Sequence, residues 1–300
     1  MIVVFRSENT LNLLIAIFVI TVATACVCNS NGRRGGTDTS RSPVATPKSD
    51  ASPSKDRTSL DSKKNADNGD FTVEHTTLRN SRYAELERKV KEEKLLENAA
   101  GELNRALILP EDIFVTAKDC GEANAQFDPN DQTLTICYEL MERFAGLYRS
   151  DGMSAAAADQ KMFDAMRFVF LHEVGHALIY NYKLPIMGNE EDAADRCSSY
   201  INIEELGEKG VKAVLAAADG FRIDSRGETR SKRDLADEHL LQEQRFYNSL
   251  CMIYGAKPDK YGYFVTDGYL PRERAERCPQ EYNRVVDSWV NLLSPWRKEK

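Results

Sequence analysis

Apolar residues recur along this chain in two rhythms. From Arg82 to Arg105 they return every three or four positions (Tyr83, Leu86, Val90, Ala99, Leu103) among lysines, arginines and glutamates. That spacing predicts one long charged helix with a single buried stripe, ended by Pro110. The rhythm then shortens. Ile113–Thr116 and Leu134–Cys137 are brief β-prone runs, with the turn-forming Asp128-Pro129-Asn130-Asp131 between them. Ala125-Gln126-Phe127 is therefore expected as the outgoing strand of a hairpin with 133–137. Helical spacing returns from Tyr138 to Tyr148 and breaks at Arg149-Ser150-Asp151-Gly152. Ser154 then caps a helix running through four alanines, Phe163, Met166, Val169 and Phe170, and stopping before Leu184-Pro185. Asn189 opens the next helix, with Glu190, Glu191 and Asp192 in its first turn, and the helix continues toward Leu206. Glycines and charges fill 207–232, where no element is predicted. Further helices are expected over Asp234–Tyr254, stopped by Gly255 and Pro258, and over Pro279–Leu293. Strands early and helices late predict an α+β protein with a small sheet beside a helical half.

The N-terminus follows neither rhythm. Leu11 to Ala25 is apolar except for Asn12, Thr21 and Thr24. It is too short for a comfortable membrane span of about 20 residues and suits the apolar core of a signal peptide. Ala23-Thr24-Ala25 provides a small-x-small cleavage pattern, and Cys26 directly after it is similar to the lipid-modified cysteine of bacterial lipoproteins. Cleaved secretion, a lipoprotein anchor and a retained signal anchor stay open, and all three predict export. From Asn29 to about Asp70 the chain is Ser, Thr, Pro, Asp, Lys, Asn and Gly, too poor in apolar surface to offset its conformational entropy. The expected organisation is a leader or anchor over 1–28, a disordered tether over 29–74 and one folded domain over 75–300.

Charge narrows the function. The formal net charge is −7, and the tether is slightly basic, so the remainder is more acidic still. This argues against nucleic acid, which needs clustered Lys and Arg. Membrane attachment is expected only through the N-terminus. Cysteines fit export: Cys120 and Cys137 flank the strand turn, and Cys251 and Cys278 flank a loop rich in Gly, Tyr and Pro. Each pair can be bridged in an oxidising compartment, stabilising by about 3 kcal/mol apiece, although four cysteines permit three connectivities. Cys197 is then left as a buried thiol.

Candidate chemistry lies in His172-Glu173-Val174-Gly175-His176, which uses two of the four histidines. Positions i and i+4 share a helix face, so both imidazoles can reach one metal ion, and Glu173 is placed to take a proton from water held there. A catalytic zinc keeps three protein ligands and one open position. Fifteen residues beyond His176 comes Glu191-Asp192-Ala193-Ala194-Asp195. There Glu191 is the third candidate ligand, and Asp195, one turn on, can accept a hydrogen bond from the far nitrogen of a ligating imidazole. Glu190 and Asp192 compete with Glu191, and acidic residues also suit any helix N-terminus. His239 is a candidate oxyanion donor with Asp234 or Asp237 to orient it; a solvated helix position is the plainer alternative. His75 has no assigned role.

His172-Glu173-x-x-His176 followed by Glu191-x-x-x-Asp195 resembles the gluzincin, thermolysin-like zinc peptidases. Leu78 to Trp296 also resembles a bacterial family of zinc metallopeptidases of unknown substrate. Its recurring pieces here are Asn124-Ala125, Asp128-Pro129, Cys137-Tyr138-Glu139-Leu140, Asp237-Glu238-His239 and Gln244-Arg245-Phe246-Tyr247. The resemblance implies a zincin-like fold and Zn2+ bound by His172, His176 and Glu191. It also implies peptide hydrolysis with Glu173 as base, and an edge strand at Asn124 and Ala125 that holds a peptide or protein substrate. Metzincins are excluded, because their glycine and third histidine would fall on Ile179 and Tyr182. Deformylases need a cysteine ligand that is not found around Cys137. A non-catalytic envelope binding module on the same fold, or a hydrolase of another amide such as a cell-wall crosslink, are the alternatives.

Overall fold

The computed structural model describes residues 65–227 and 231–299, with nothing said of the side chains at 233 and 234. The expected leader and most of the expected tether lie outside the described residues. Strand β1 (Phe71–His75) comes first. Four residues assigned by composition to the tether, 71–74, thus belong to the sheet. Their alternation explains why: Phe71 is buried and Val73 packs on the core, while Thr72 and Glu74 point away from it.

Helices α1 (Ala84–Glu93) and α2 (Leu95–Ala106) replace the single helix predicted over this stretch. Lys94 breaks it by adopting a left-handed conformation, φ 50°, so Leu95 and Leu96 can turn inward. Strands β2 (Ile113–Lys118), β3 (Ala125–Asp128) and β4 (Thr133–Cys137) follow. The sheet order is β1-β2-β4-β3. The first three of these neighbours run parallel, and β3 lies antiparallel at the edge, with Ala125 opposite Ile136 and Asp128 opposite Thr133. The hairpin is the one read from sequence. In its turn, Asp128 accepts the Asn130 amide at 2.9 Å and Asp131 accepts the Thr133 amide at 3.1 Å.

A disulfide joins Cys120 to Cys137, tying the loop before β3 to the end of β4. The Glu139 carboxylate grips the same loop by accepting the amides of Cys120 (3.1 Å) and Gly121 (2.9 Å). Helix α3 (Tyr138–Ser150) starts directly from β4. Helix α4 (Ala155–Tyr182) begins at Ser154, whose hydroxyl accepts the Ala157 amide at 3.3 Å. Most of α4 is buried, including Phe168, Phe170, Val174 and Leu178, because other helices and the sheet edge surround it. Helix α5 (Glu190–Tyr200) is capped by Asn189, which accepts the Asp192 amide at 3.0 Å. It widens into a π turn over Ile201–Glu205.

The prediction that no element forms over 207–232 is corrected here. Helix α6 (Gly207–Asp224) fills most of that span, because Val211, Val214, Ala217, Ala218 and Phe221 recur at helical spacing and are buried. After the short α7 (Lys232–Leu235), helix α8 (Gln242–Ala256) starts eight residues later than expected. The polar run Ala236–Leu241 is irregular instead. Short helices α9 (Pro258–Tyr261), α10 (Tyr263–Thr266) and α11 (Arg272–Ala275) lead to α12 (Cys278–Leu293). A second disulfide, Cys251–Cys278, ties α8 to the start of α12, and Cys197 is free and buried. The fold is mixed α and β with a small sheet, although two helices precede three of its strands. Among the described residues no helix is long and apolar enough to cross a membrane.

Two glycines give a test of this packing. A Cβ on Gly210 would lie 1.8 Å from the Asn202 carbonyl oxygen, whereas one on Gly146, inside α3, meets nothing within 4 Å. Gly210→Ala is expected to destabilise by about 3 kcal/mol or more, since backbone cannot step aside. Gly146→Ala is expected to stabilise by about 0.5–1 kcal/mol through helix propensity. Urea midpoints measure both, and equal midpoints for the two variants contradict this packing.

Candidate metal centre

Helices α4 and α5 meet at Gly175. A Cβ there would lie 3.1 Å from Ala194 Cα and 3.2 Å from Cys197 Cβ, so the missing side chain lets the two backbones approach. Above that contact, His172 and His176 stand one turn apart on α4 and face Glu191 and Asp195, one turn apart on α5. His172 Nε2 lies 3.1 Å from Glu191 Oε2 and 3.2 Å from His176 Nε2, and His176 Nε2 lies 3.5 Å from Glu191 Oε1. These donor atoms all fall within 4.8 Å of one another. Adjacent ligands around a tetrahedral ion with bonds of about 2.0–2.1 Å are about 3.3 Å apart. The separations fit such an ion, and two imidazoles with one carboxylate are a donor set that suits a divalent transition metal.

The far nitrogens are held as well. His172 Nδ1 lies 2.8 Å from Asp195 Oδ1, and His176 Nδ1 lies 2.8 Å from Glu190 Oε1. A carboxylate only accepts, so each Nδ1 carries a hydrogen, and Nε2 is the atom that can turn a lone pair to the shared point once it has lost its own proton. Asp195 is itself clamped by Arg245 of α8, through Nε at 2.8 Å and Nη2 at 2.7 Å. The Arg245 guanidinium lies 4.1 Å from the centre of the Phe221 ring. An ion pair facing an aromatic ring is positioned by packing on one side and hydrogen bonds on the other.

Sequence reasoning missed two of these contacts. In the sequence Glu190 reads only as a rival ligand, whereas the structure places it on the His176 Nδ1. Arg245 reads only as part of a recurring motif, with no role of its own. A signal did exist, because Arg245 shares its helix face with the buried Ser249, Met252 and Ile253, and a charge on a buried face needs a partner.

Burial and pairing set the charges. Desolvation works against a proton on His172, but hydrogen bonds to Asp195 and Glu191 prevail and lift its imidazole to about 9. Burial opposes ionisation of Glu191, yet its hydrogen bonds to His172, His176 and His239 hold it far below the usual carboxylate range. Asp195 is likewise buried and is held low by the Arg245 charge and the His172 bond. Glu173 goes the other way: burial pushes its carboxyl up, and the neighbouring imidazoles offset only part of that. A carboxylate with a raised pKa is a stronger base, as proton transfer near neutrality requires.

His239 stands in the irregular segment before α8. Its Nε2 lies 2.9 Å from Glu191 Oε2 and its Nδ1 lies 3.2 Å from Asp237 Oδ1. Asp237 is thus the orienting partner; the Asp234 side chain lies outside the described residues. The His239 ring stacks parallel to His172 with centroids 6.2 Å apart. His172, Glu173, His239, Asn124 and Ala125 all line one cavity of about 380 Å³. The Asn124 carbonyl accepts the Cys137 amide at 3.0 Å, and the free side of β3 is the sheet edge. His75 is remote from this cluster, in β1 beside Glu97 at 3.4 Å.

A family model described as "Putative metallopeptidase" matches residues 75–293, and the chain belongs to that family. No curated protein and no solved structure matches the chain. Family membership implies a metal cofactor and a peptide substrate, and the cluster on α4 and α5 is a place where this chain can hold such an ion. A metal must displace the proton that His172 keeps up to about pH 9. Metal affinity is therefore expected to rise with pH, about tenfold per unit for each imidazole still protonated, and to level off near pH 9. Calorimetry at pH 7 in buffers of different ionisation enthalpy should show release of about one proton or more. No proton release would contradict the electrostatics described here.

Proposed function

We propose that the chain is an exported zinc peptidase whose domain is zincin-like, of the gluzincin type. His172, His176 and Glu191 are the ligands in this reading, and the observation that carries it is the convergence of their three donor atoms beside the buried Glu173. Zinc suits two histidines and one glutamate, and when bound it supplies a Lewis acid that polarises a carbonyl and lowers the pKa of water.

The remaining work falls to the protein. Glu173, made more basic by burial, takes a proton from the attacking water and passes it to the departing amine. Asp195, clamped by Arg245, keeps the His172 ring in one tautomer and orientation. His239, oriented by Asp237, is assigned as the donor to the oxygen that gains charge in the transition state. Asn124 and Ala125 start the edge strand, where an extended peptide can add by backbone hydrogen bonds. The leader over 1–28 and the tether after it belong to the same proposal, supported by two disulfides that suit an oxidising compartment.

The test compares wild type with Glu173→Gln on a mixed peptide library, with metal content measured on both. Equal zinc occupancy is expected, close to one per chain, with turnover lower in the variant by about 10²–10⁴-fold. Equal cleavage by both proteins removes Glu173 from the chemistry. Zinc binding with cleavage by neither favours a binding module.

A further inference from the structure

Helix α5 carries a second set of side chains on its other face. Glu191 and Asp195 turn toward His172, whereas Asp192, Ala193 and Arg196 line an open groove of about 1140 Å³ between α12 and the loop after α4. Its charged lining is four arginines (196, 274, 277 and 284) against the carboxylates of Asp192 and Glu281. Those two carboxylates are already engaged. Glu281 accepts from Arg196 at 2.5 Å and from Arg274 at 2.6 and 2.9 Å, and Asp192 faces Arg196 Nε at 3.4 Å. Arg277 and Arg284 have no carboxylate partner among the described residues. In a chain of net charge −7, these two arginines leave a local surplus of positive charge along the groove.

The same groove has an apolar part. Met187, on the loop opposite α12, is 98% exposed. Ile186 beside it, and Val285 and Leu292 on α12, are only partly covered by the core. We infer that this groove docks a segment of a partner protein that carries acidic residues flanking an apolar side chain. Arg277 caps the start of α12 and Arg284 lies seven residues on, two turns along the same side, which places them about 10 Å apart along its axis. Three residues of extended chain cover about that distance, so two carboxylates in a Glu-x-x-Glu spacing can meet both guanidinium groups. An apolar residue next to them then covers Met187 and the strip formed by Ile186, Val285 and Leu292. Charged contacts of this kind steer association and select partners, and the apolar anchor supplies residence. Docking uses the face of α5 opposite the candidate metal centre, so it stands independently of whether the cleft hydrolyses peptides.

The experiment measures fluorescence anisotropy of labelled dodecapeptides with the full chain and, to exclude turnover, with its Glu173→Gln form. Three peptides share one leucine-containing core: one has glutamates in the Glu-x-x-Glu spacing, one has glutamines there and one has lysines. The glutamate peptide is expected to bind at least about tenfold more tightly than the other two, and less tightly as salt rises. Arg277→Glu with Arg284→Glu should weaken it at least about tenfold and make the lysine peptide the better ligand. Because both positions are exposed, thermal unfolding should be unchanged. Equal affinity for the three peptides, or no binding of any, overturns the proposal. So does binding of phosphatidylglycerol vesicles that the double variant abolishes while no peptide binds, which would assign the surface to a membrane. Concentration-dependent dimers by sedimentation that the double variant dissolves would assign it to a second copy of the chain.

Discussion

The distance between α4 and α5 is the constraint on which the rest depends. Two imidazoles on one helix can share an ion with a carboxylate on another only if the backbones come closer than side chains normally allow. Gly175 and Ala194 supply that closeness, with Cys197 filling the space below. The helices are then locked from both ends. Asn189 caps the start of α5, while the π turn over Ile201–Glu205 lets the chain leave α5 and re-enter as α6. A residue with a side chain at 175 would have to push α5 outward by a few tenths of an ångström, in the direction that carries Glu191 away from the histidines.

Closeness creates an electrostatic problem that the fold solves in layers. Glu173, Glu191 and Asp195 are three carboxyl groups in one poorly hydrated region, and unpaired charges there are strongly unfavourable. Arg245 satisfies Asp195 with two hydrogen bonds, and the imidazoles satisfy Glu191. Glu173 alone receives no direct donor among the described contacts, and its carboxyl is the one pushed toward neutrality. The same arrangement that stabilises two carboxylates as anions therefore leaves the third with a raised affinity for a proton. The pattern is one of pKa values driven apart by environment, which is how neighbouring carboxylates come to different roles.

Much of this was legible in the chain. Short β-prone runs placed β2 and β4, the Asp-Pro-Asn-Asp turn placed the hairpin with β3, and Ser154 and Asn189 marked two helix starts. The spacing of His172, His176, Glu191 and Asp195 foretold which side chains would face each other, because helical periodicity alone puts them on two faces. What failed did so for identifiable reasons. Lys94 breaks α1 from α2 through a backbone conformation that no lysine advertises. Helix α6 was hidden by Gly207, Gly210 and Gly220, which read as loop signals. Gly210 and Gly220 are instead close-packing positions, against Asn202 and Phe144. Arg245 went unassigned because its partner lies 50 positions away in sequence: a buried helix face signals that a charge needs a partner but not which residue supplies it.

The position of the sheet edge relative to the metal cluster carries the last step. Asn124 and Ala125 stand at the start of β3, and the loop before them is held three ways: by the Cys120–Cys137 disulfide, by Glu139 gripping two amides, and by the Asn124 carbonyl bonded to Cys137. An antiparallel edge strand without such restraints would fray, since one side of it has no neighbour. Here the strand's starting residues line the same 380 Å³ cavity as His172, Glu173 and His239. Since Cys137 also ends β4 and leads straight into α3, the restraint joins the sheet to a helix whose Leu140, Phe144 and Leu147 line the same cavity. An edge held in this way is what the proposed reading asks of it, because an extended peptide adds to a sheet by backbone hydrogen bonds and needs a strand that stays in place.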